Sequence, residues 1–339
     1  MSDAVLGTEP RARDAHGGLG QALDEVSIEL TQRCNLSCAM CAVWEGRRDG
    51  VPDAVAVSLL HESRSLGATT FTPSGAEPLM RKSTVELLEE ASALGFAEIA
   101  MVTNGALVPK VAARLSRISG LRLNISIDGP RAVHDALRGD GSYDQALAGL
   151  KAAADHGIAT GVSAVLMAPT LATLDHVLDL AERFRLSFAS VQPFQPEIAG
   201  AGRDHGRFIF EPHTRGAVSA ALARFAERAD RVGVAIHTRA AFSHFVPYLF
   251  DGQRPVPAGG CQMPGRFILV DVKGNTFPCF FLRRTSMGNV LGGMTLSQIL
   301  RSEARLRLQL LGLSGRCGGC LAACSDIAGY RAAERGSID

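Results

Sequence analysis

The chain has almost no net charge: 35 Lys and Arg against 34 Asp and Glu leave +1 over 339 residues. That balance offers no basic field for nucleic acid or an anionic membrane to recognise. No apolar run approaches the ~20 residues a bilayer-spanning helix needs. Met1 to Gly20 is polar and Gly-rich with mixed charge, and lacks the apolar core of a signal peptide. Repeats and low-complexity tracts are absent, and Trp44 and the nine His fall in no metal-ligand spacing. These absences leave a reducing cytoplasm as the expected compartment, with neither nucleic acid nor membrane as partner. In that compartment eight cysteines argue for metal or redox chemistry rather than disulfides.

From about Val26 to Phe194, short β-rich runs alternate with helical stretches. Strands are expected at Val26–Leu30, Ala68–Thr72, Ala97–Val102, Leu121–Ile127, Thr160–Leu166 and Phe188–Pro193. Helices are expected at Ala54–Ser65, Thr84–Leu94 and near 108–117, 143–156 and 171–184. Such alternation implies parallel strands joined by right-handed crossovers, and six units suit an α/β fold built as a partial (β/α)6 TIM-like barrel. A connector at 200–213 and a helix at Thr214–Arg231 follow. After residue 253 the character changes: Phe267–Val272 and Thr276–Phe281 read as a hairpin about Lys273-Gly274-Asn275, and Leu296–Leu311 as a helix. The expected division is a flexible segment 1–24, a barrel 25–235, and a connector with a small α+β module over 236–339.

Cys34, Cys38 and Cys41 form a Cys-x3-Cys-x2-Cys triplet on the loop after the first strand. Three thiolates with no fourth ligand beside them suit an iron–sulfur cluster with one iron left open, since such clusters take Cys thiolates, usually four. A zinc knuckle normally reads as two pairs of ligands instead. Barrel chemistry sits at strand C-terminal ends, where this loop falls. The segment Glu29-Leu30-Thr31-Gln32-Arg33-Cys34-Asn35-Leu36-Ser37-Cys38-Ala39-Met40-Cys41 resembles the signature of the radical S-adenosylmethionine (SAM) superfamily, whose core is a partial (β/α)6 barrel. The resemblance implies a [4Fe–4S] cluster whose open iron holds the amino and carboxylate groups of SAM. One electron then cleaves the sulfonium to a 5′-deoxyadenosyl radical.

Further motifs follow the strands in order. Ser74-Gly75-Ala76-Glu77-Pro78 resembles the family's GGEP turn, which implies that Glu77 accepts from the SAM ammonium and that Gly75 lets the backbone approach. Val102-Thr103-Asn104-Gly105 resembles its T-N-G turn, and Asn124-Ile125-Ser126-Ile127-Asp128-Gly129 its S-x-D-G strand ending. By the same resemblance Ser126 contacts the SAM carboxylate or ribose and Arg138 lies near the carboxylate; Asp128 is equally readable as a turn-former. Met40 stands where the family often has an aromatic residue against adenine, and Gln192 ends the sixth strand, where adenosine is commonly met.

Cys261-x17-Cys279 and Cys317-x2-Cys320-x3-Cys324 resemble the Twitch module, a shortened SPASM domain holding one auxiliary [4Fe–4S] cluster. Cys261, Cys279, Cys317 and Cys320 fit its spacing; a zinc ribbon is the competing reading. Eight cysteines less three and less four leave one. Cys324 is the candidate hydrogen-atom donor, or an alternative cluster ligand with Cys261 as the donor. A thiol returning hydrogen from the opposite face inverts a stereocentre, so epimerisation of a sugar or aminocyclitol in natural-product (antibiotic) biosynthesis is expected, with an electron donor such as flavodoxin or ferredoxin. Dehydrogenation, decarboxylation and peptide maturation are the alternatives. About twenty-five residues before the first strand are too few for a peptide-recognition domain, which disfavours the last.

Overall fold

The computed structural model describes residues 23–200, 204–236, 239–256 and 260–321. In chain order the elements are β1 (Glu25–Thr31), α1 (Asp53–Ser65), β2 (Thr70–Gly75), α2 (Thr84–Ala93), β3 (Glu98–Thr103), α3 (Val108–Leu115), β4 (Leu121–Ser126), α4 (Arg131–Arg138) and α5 (Ser142–Asp155). They continue with β5 (Ala159–Leu166), α6 (His176–Phe184), β6 (Phe188–Pro193), α7 (Pro196–Ala199), α8 (Arg215–Val232), β7 (Ala235–Ile236) and α9 (Phe242–Asp251). The last are α10 (Met263–Arg266), β8 (Phe267–Val270), β9 (Asn275–Phe277), β10 (Gly288–Asn289), α11 (Leu296–Leu300) and α12 (Glu303–Leu313).

Among the described residues one ten-stranded sheet forms, in the order β10-β9-β8-β1-β2-β3-β4-β5-β6-β7. β1 to β6 are sequential and parallel, which is the consecutive βα winding expected from the sequence. The period-two alternation of strands decides which residues face which layer. Val26, Ile28, Leu30, Ile99, Met101 and Leu123 lie in the core beneath the first helices. Ile125, Val162, Ala164, Ala189 and Val191 do the same against the later ones. The alternate residues of each strand therefore face the lumen. No helix among the described residues is long and apolar enough to cross a membrane.

Several boundaries differ from the sequence reading, each for a local reason. β2 begins at Thr70, not Ala68, because Ala68 N–H closes the end of α1 on Ser63 O and Thr69 N–H donates to Asp24 O. The helix expected near 171–184 splits into a 3₁₀ segment, Ala168–Thr173, and α6. The helix expected over Leu296–Leu311 breaks at Ser302, whose hydroxyl accepts from Arg305 N–H and starts α12 as an N-cap. α4 and α9 have no counterpart in the expected elements. The hairpin forms about Asp271, whose carboxylate accepts from Lys273 and Asn275 N–H. Its first strand is hydrogen-bonded to β1, in register Glu25↔Phe267 and Ser27↔Leu269, so the sheet runs without a break from the barrel strands into the C-terminal cysteine region.

Arg81 ties down the base of the Cys34–Cys41 loop. Its buried guanidinium donates to Leu30 O (3.1 Å) at the end of β1 and to Val51 O (2.8 Å), and it pairs with Asp53 at the start of α1. Arg81→Met leaves two buried carbonyls without this donor, at a cost of about 2–4 kcal/mol. Urea unfolding of the iron-free protein measures it; a loss below about 1 kcal/mol would remove Arg81 from this role.

Candidate active site

The loop Thr31–Asp49 folds back on itself through Gln32 N–H to Arg48 O (2.6 Å) and an isolated bridge between Thr31 and Asp49. Cys34 and Cys41 are half-buried and Cys38 is buried. Their sulfurs lie close enough to repel as thiolates. Burial first, then the neighbours Glu77 and Cys41, push the Cys34 thiol up. Burial pushes Cys38 up to about 11, against the pull of the Arg138 guanidinium. Two N–H donors aim at Cys34 Sγ: Leu36 N at 3.3 Å and Asn104 Nδ2 at 3.7 Å. Three converging thiols with a cation beside them and N–H donors at one sulfur are a donor set that fits an iron–sulfur cluster.

The turn after β2 is packed against the end of β1. Gly75 has φ of 125°, and a Cβ there would lie 2.2 Å from Thr31 O, so only glycine fits. Ala76 and Glu77 N–H then donate to Thr31 O and Arg33 O. Glu77 itself is fully buried. Its carboxylate accepts from Leu79 N–H (3.1 Å), the Thr103 hydroxyl (2.9 Å) and Asn104 N–H (2.8 Å). Burial raises its pKa while these three bonds oppose the rise. The side chain clamps the β2 turn to the end of β3. Asn104 is equally committed. Its amide gives one hydrogen to Asn35 Oδ1 (2.8 Å) and the other toward Cys34, and its Oδ1 accepts from Ala106 N–H.

At the end of β4, Asp128 and Arg138 form a buried ion pair, Nε to Oδ2 at 2.6 Å. Asp128 Oδ1 also accepts from Val165 N–H (2.8 Å), so this residue joins β4, β5 and α4 rather than merely forming a turn. Burial works against the Arg138 charge, yet Asp128 and the thiols of Cys38 and Cys41 hold its pKa above the ordinary range. Ser126 is buried at the strand end, and Gln192 is half-buried at the end of β6; neither side chain has a partner among the described residues. Met40 lies in an apolar cluster with Cys38, Leu137, Met167, Phe194 and Phe208, packed on protein.

The C-terminal thiols also gather. Burial pushes Cys261 up to about 11, with Cys320, Cys317 and Cys279 adding to the rise. Burial likewise raises Cys279, against N–H donors at Leu282 and Phe281. Among the described residues no three His, Cys, Asp or Glu converge tightly enough for a single metal ion, and a polynuclear cluster spaces its thiolates more widely than one ion does. Cys324 lies outside the described residues.

A family model, the radical SAM superfamily, matches residues 28–184, which hold both the triplet and the β2, β3 and β4 turns. The mycofactocin maturase MftC of Mycobacterium ulcerans is 30% identical over 319 residues, covering 87% of this chain and 82% of that one. The chain belongs to the radical SAM superfamily. Membership implies one [4Fe–4S] cluster and SAM. A probable GTP 3′,8-cyclase of Methanopyrus kandleri is 33% identical over 188 residues, 53% of this chain and 59% of its own length. Streptococcus suis SuiB, solved with S-adenosylmethionine, shares the fold at TM-score 0.69 and 14% identity, covering 88% of this radical SAM chain and 73% of that one. SuiB has also been solved with its precursor peptide SuiA.

Sequence reasoning missed Arg81 and His134, which no spacing signal marks, and the T-N-G motif does not reveal that the Thr103 hydroxyl donates to Glu77. His134 is buried in α4. Its Nδ1 accepts from Asp128 N–H (3.2 Å), and Nε2 has no hydrogen-bond partner. Burial, then Arg138, lowers its pKa to about 4 from 6.5. The folded chain thus binds fewer protons than the unfolded one between those values, so stability is full above about pH 6.5 and falls toward pH 4, by up to roughly 3 kcal/mol. In His134→Asn this part of the acid loss disappears; identical pH slopes of the urea midpoint in both proteins would refute it. At Cys34, Asn104→Ala removes an N–H···S donor, and the reduction potential of the loaded cluster moves to more negative values. An EPR-monitored redox titration that finds the same midpoint rejects that assignment.

Proposed function

We propose that this radical SAM enzyme epimerises a sugar-like or aminocyclitol substrate in natural-product biosynthesis, using two [4Fe–4S] clusters. Cys34, Cys38 and Cys41 hold the cluster that meets SAM, and Cys261, Cys279, Cys317 and Cys320 hold the second. When bound, SAM and its cluster supply the one-electron chemistry that takes a hydrogen atom from substrate carbon. The single observation that carries this reading is the mutual proximity of four thiols in the C-terminal region. A four-thiolate set there is complete without Cys324. That leaves one thiol free to give its hydrogen atom to the substrate radical from the opposite face. The S–H bond breaks, a C–H bond forms with inverted configuration, and the sulfur radical is restored by one electron and one proton. A second cluster held by Cys261, Cys279, Cys317 and Cys320 would supply that electron, with an external donor such as flavodoxin or ferredoxin behind it. Arg138, already stabilised by Asp128, supplies positive charge beside the SAM-facing thiolates, and the Glu77 clamp holds the turns around them.

Peptide modification is the second reading. Phe194, Phe208, Phe210, Tyr248 and Leu249 line an apolar cavity of about 200 Å³ beyond the end of β6, of a size for one bulky side chain. The long match to a maturase points the same way.

Anaerobic reconstitution should load about eight irons per chain, falling to about four in Cys279→Ala. In deuterated water the wild type should place deuterium at the inverted carbon, whereas Cys324→Ala should form 5′-deoxyadenosine without a deuterated epimer. About four irons in the wild type, or undiminished epimer in Cys324→Ala, overturns this scheme.

A further inference from the structure

On the lumen side of the sheet Glu29, Arg283 and Asn124 keep unused hydrogen-bonding atoms, and none of the three is among the residues expected to meet SAM. Glu29 lies on the lumen side of β1, five residues ahead of Cys34, and Ser74 is its register partner on β2. Arg283, four residues past Cys279, reaches back to it: Nη1 meets Glu29 Oε1 at 2.6 Å, and Nε donates to Phe280 O at 3.1 Å. One carboxylate oxygen and one guanidinium NH2 of this pair are left without a partner among the described residues. Across the lumen Asn124 on β4 has a buried Oδ1 that accepts from nothing among the described residues. Val102, the register partner of Asn124, is 54% exposed although β3 is flanked by strands on both sides. An apolar residue on the inner face of a central strand is that accessible only where the lumen is open. Beside β8 the half-buried Phe280 packs on the buried Phe267 at 5.2 Å.

We infer that Glu29 and Arg283, with Asn124 opposite, form a substrate subsite for a neutral, polyhydroxylated ring. Each part of that description has its own cause. The free atoms include both donors and acceptors, which a hydroxyl satisfies because it gives and accepts at once. The unused buried acceptor on Asn124 costs stability until a ligand donor meets it. Charge on this wall is already matched, Glu29 by Arg283 and Glu98 by Arg122, so an anionic group would arrive beside a carboxylate with no spare cation. The exposed Val102 and the half-buried Phe280 suit the C–H faces of a ring, a mixture of surfaces usual for small-molecule sites. The subsite joins a residue beside one thiol set to a residue beside the other. A ring held there touches the segments that carry both. This inference rests on the radical SAM reading only for its role as substrate, since the recognition chemistry stands on the lumen alone.

The test is a charge switch. The reconstituted full-length protein is titrated anaerobically with myo-inositol and with methyl glucoside as neutral probes, and with the monophosphate of each as anionic counterparts. Wild type should bind the neutral member of each pair at least tenfold more tightly. Glu29→Gln leaves Arg283 uncompensated, so preference should move toward the phosphates by tenfold or more, whereas Arg283→Gln should weaken both. Circular dichroism and iron content separate these shifts from misfolding. Failure of the wild type to bind either neutral probe, or an unchanged ratio in Glu29→Gln, overturns the subsite. Dithionite-driven SAM cleavage by the wild type without any probe reports on the radical SAM reading separately, so failure of one is not mistaken for failure of the other.

Discussion

Burying a carboxylate is among the least favourable things a fold can do, and Glu77 is buried without any countercharge in contact. What holds it is three donors from two elements: Leu79 N–H on its own turn, and the Thr103 hydroxyl and Asn104 N–H at the end of β3. Those bonds are available only when the β2 turn sits in one position, against Thr31 O, where a Cβ at residue 75 has no room. The turn in turn receives the Cys loop through Glu77 N–H to Arg33 O, and Asn104 reaches from the other side to Asn35 and Cys34. One desolvated group thus fixes the relative placement of β1, β2, β3 and the thiol loop. Arg81 does the same for the outer side of the loop from below.

A second buried charge pair repeats the logic a strand later. Asp128 and Arg138 neutralise each other, and Asp128 spends its second oxygen on β5. A pair of this kind contributes little net stability, because desolvation offsets most of the attraction. Its value is positional: a guanidinium that stays charged is held near Cys38 and Cys41. The cost appears at His134, which must remain neutral to accept from Asp128 N–H beside a permanent cation.

What the sequence made legible follows from the range of the interactions involved. Strand alternation and helix periodicity are local, so β1 to β6 and their winding were readable, with errors confined to ends that a single hydrogen bond decides. The thiol triplet was readable because its ligands lie within eight residues. The Glu77 clamp was not, since its partners are 26 and 27 residues away in chain order and the motif speaks only to a contact with SAM. The joining of β8 to β1 was invisible for the same reason: it pairs residue 25 with residue 267, and no local pattern encodes which edge a hairpin will extend. α4 was missed because only four of its eight residues are apolar, too short a pattern for periodicity to mark a helix.

The continuity of the sheet into the C-terminal region has a mechanical consequence. Were the second thiol set on a separately folded module, its distance from the first would depend on an interface between domains. Here Cys261 precedes a strand paired with β1, and Cys279 follows the strand paired with that one. The separation between the two thiol sets is therefore set by strand spacing and by the Glu29–Arg283 contact, both of which are short-range and stiff. The placement of the C-terminal thiols relative to the Cys34–Cys41 loop is thus tied to strand pairing within one sheet, which tolerates far less displacement than an interface between separately folded units does.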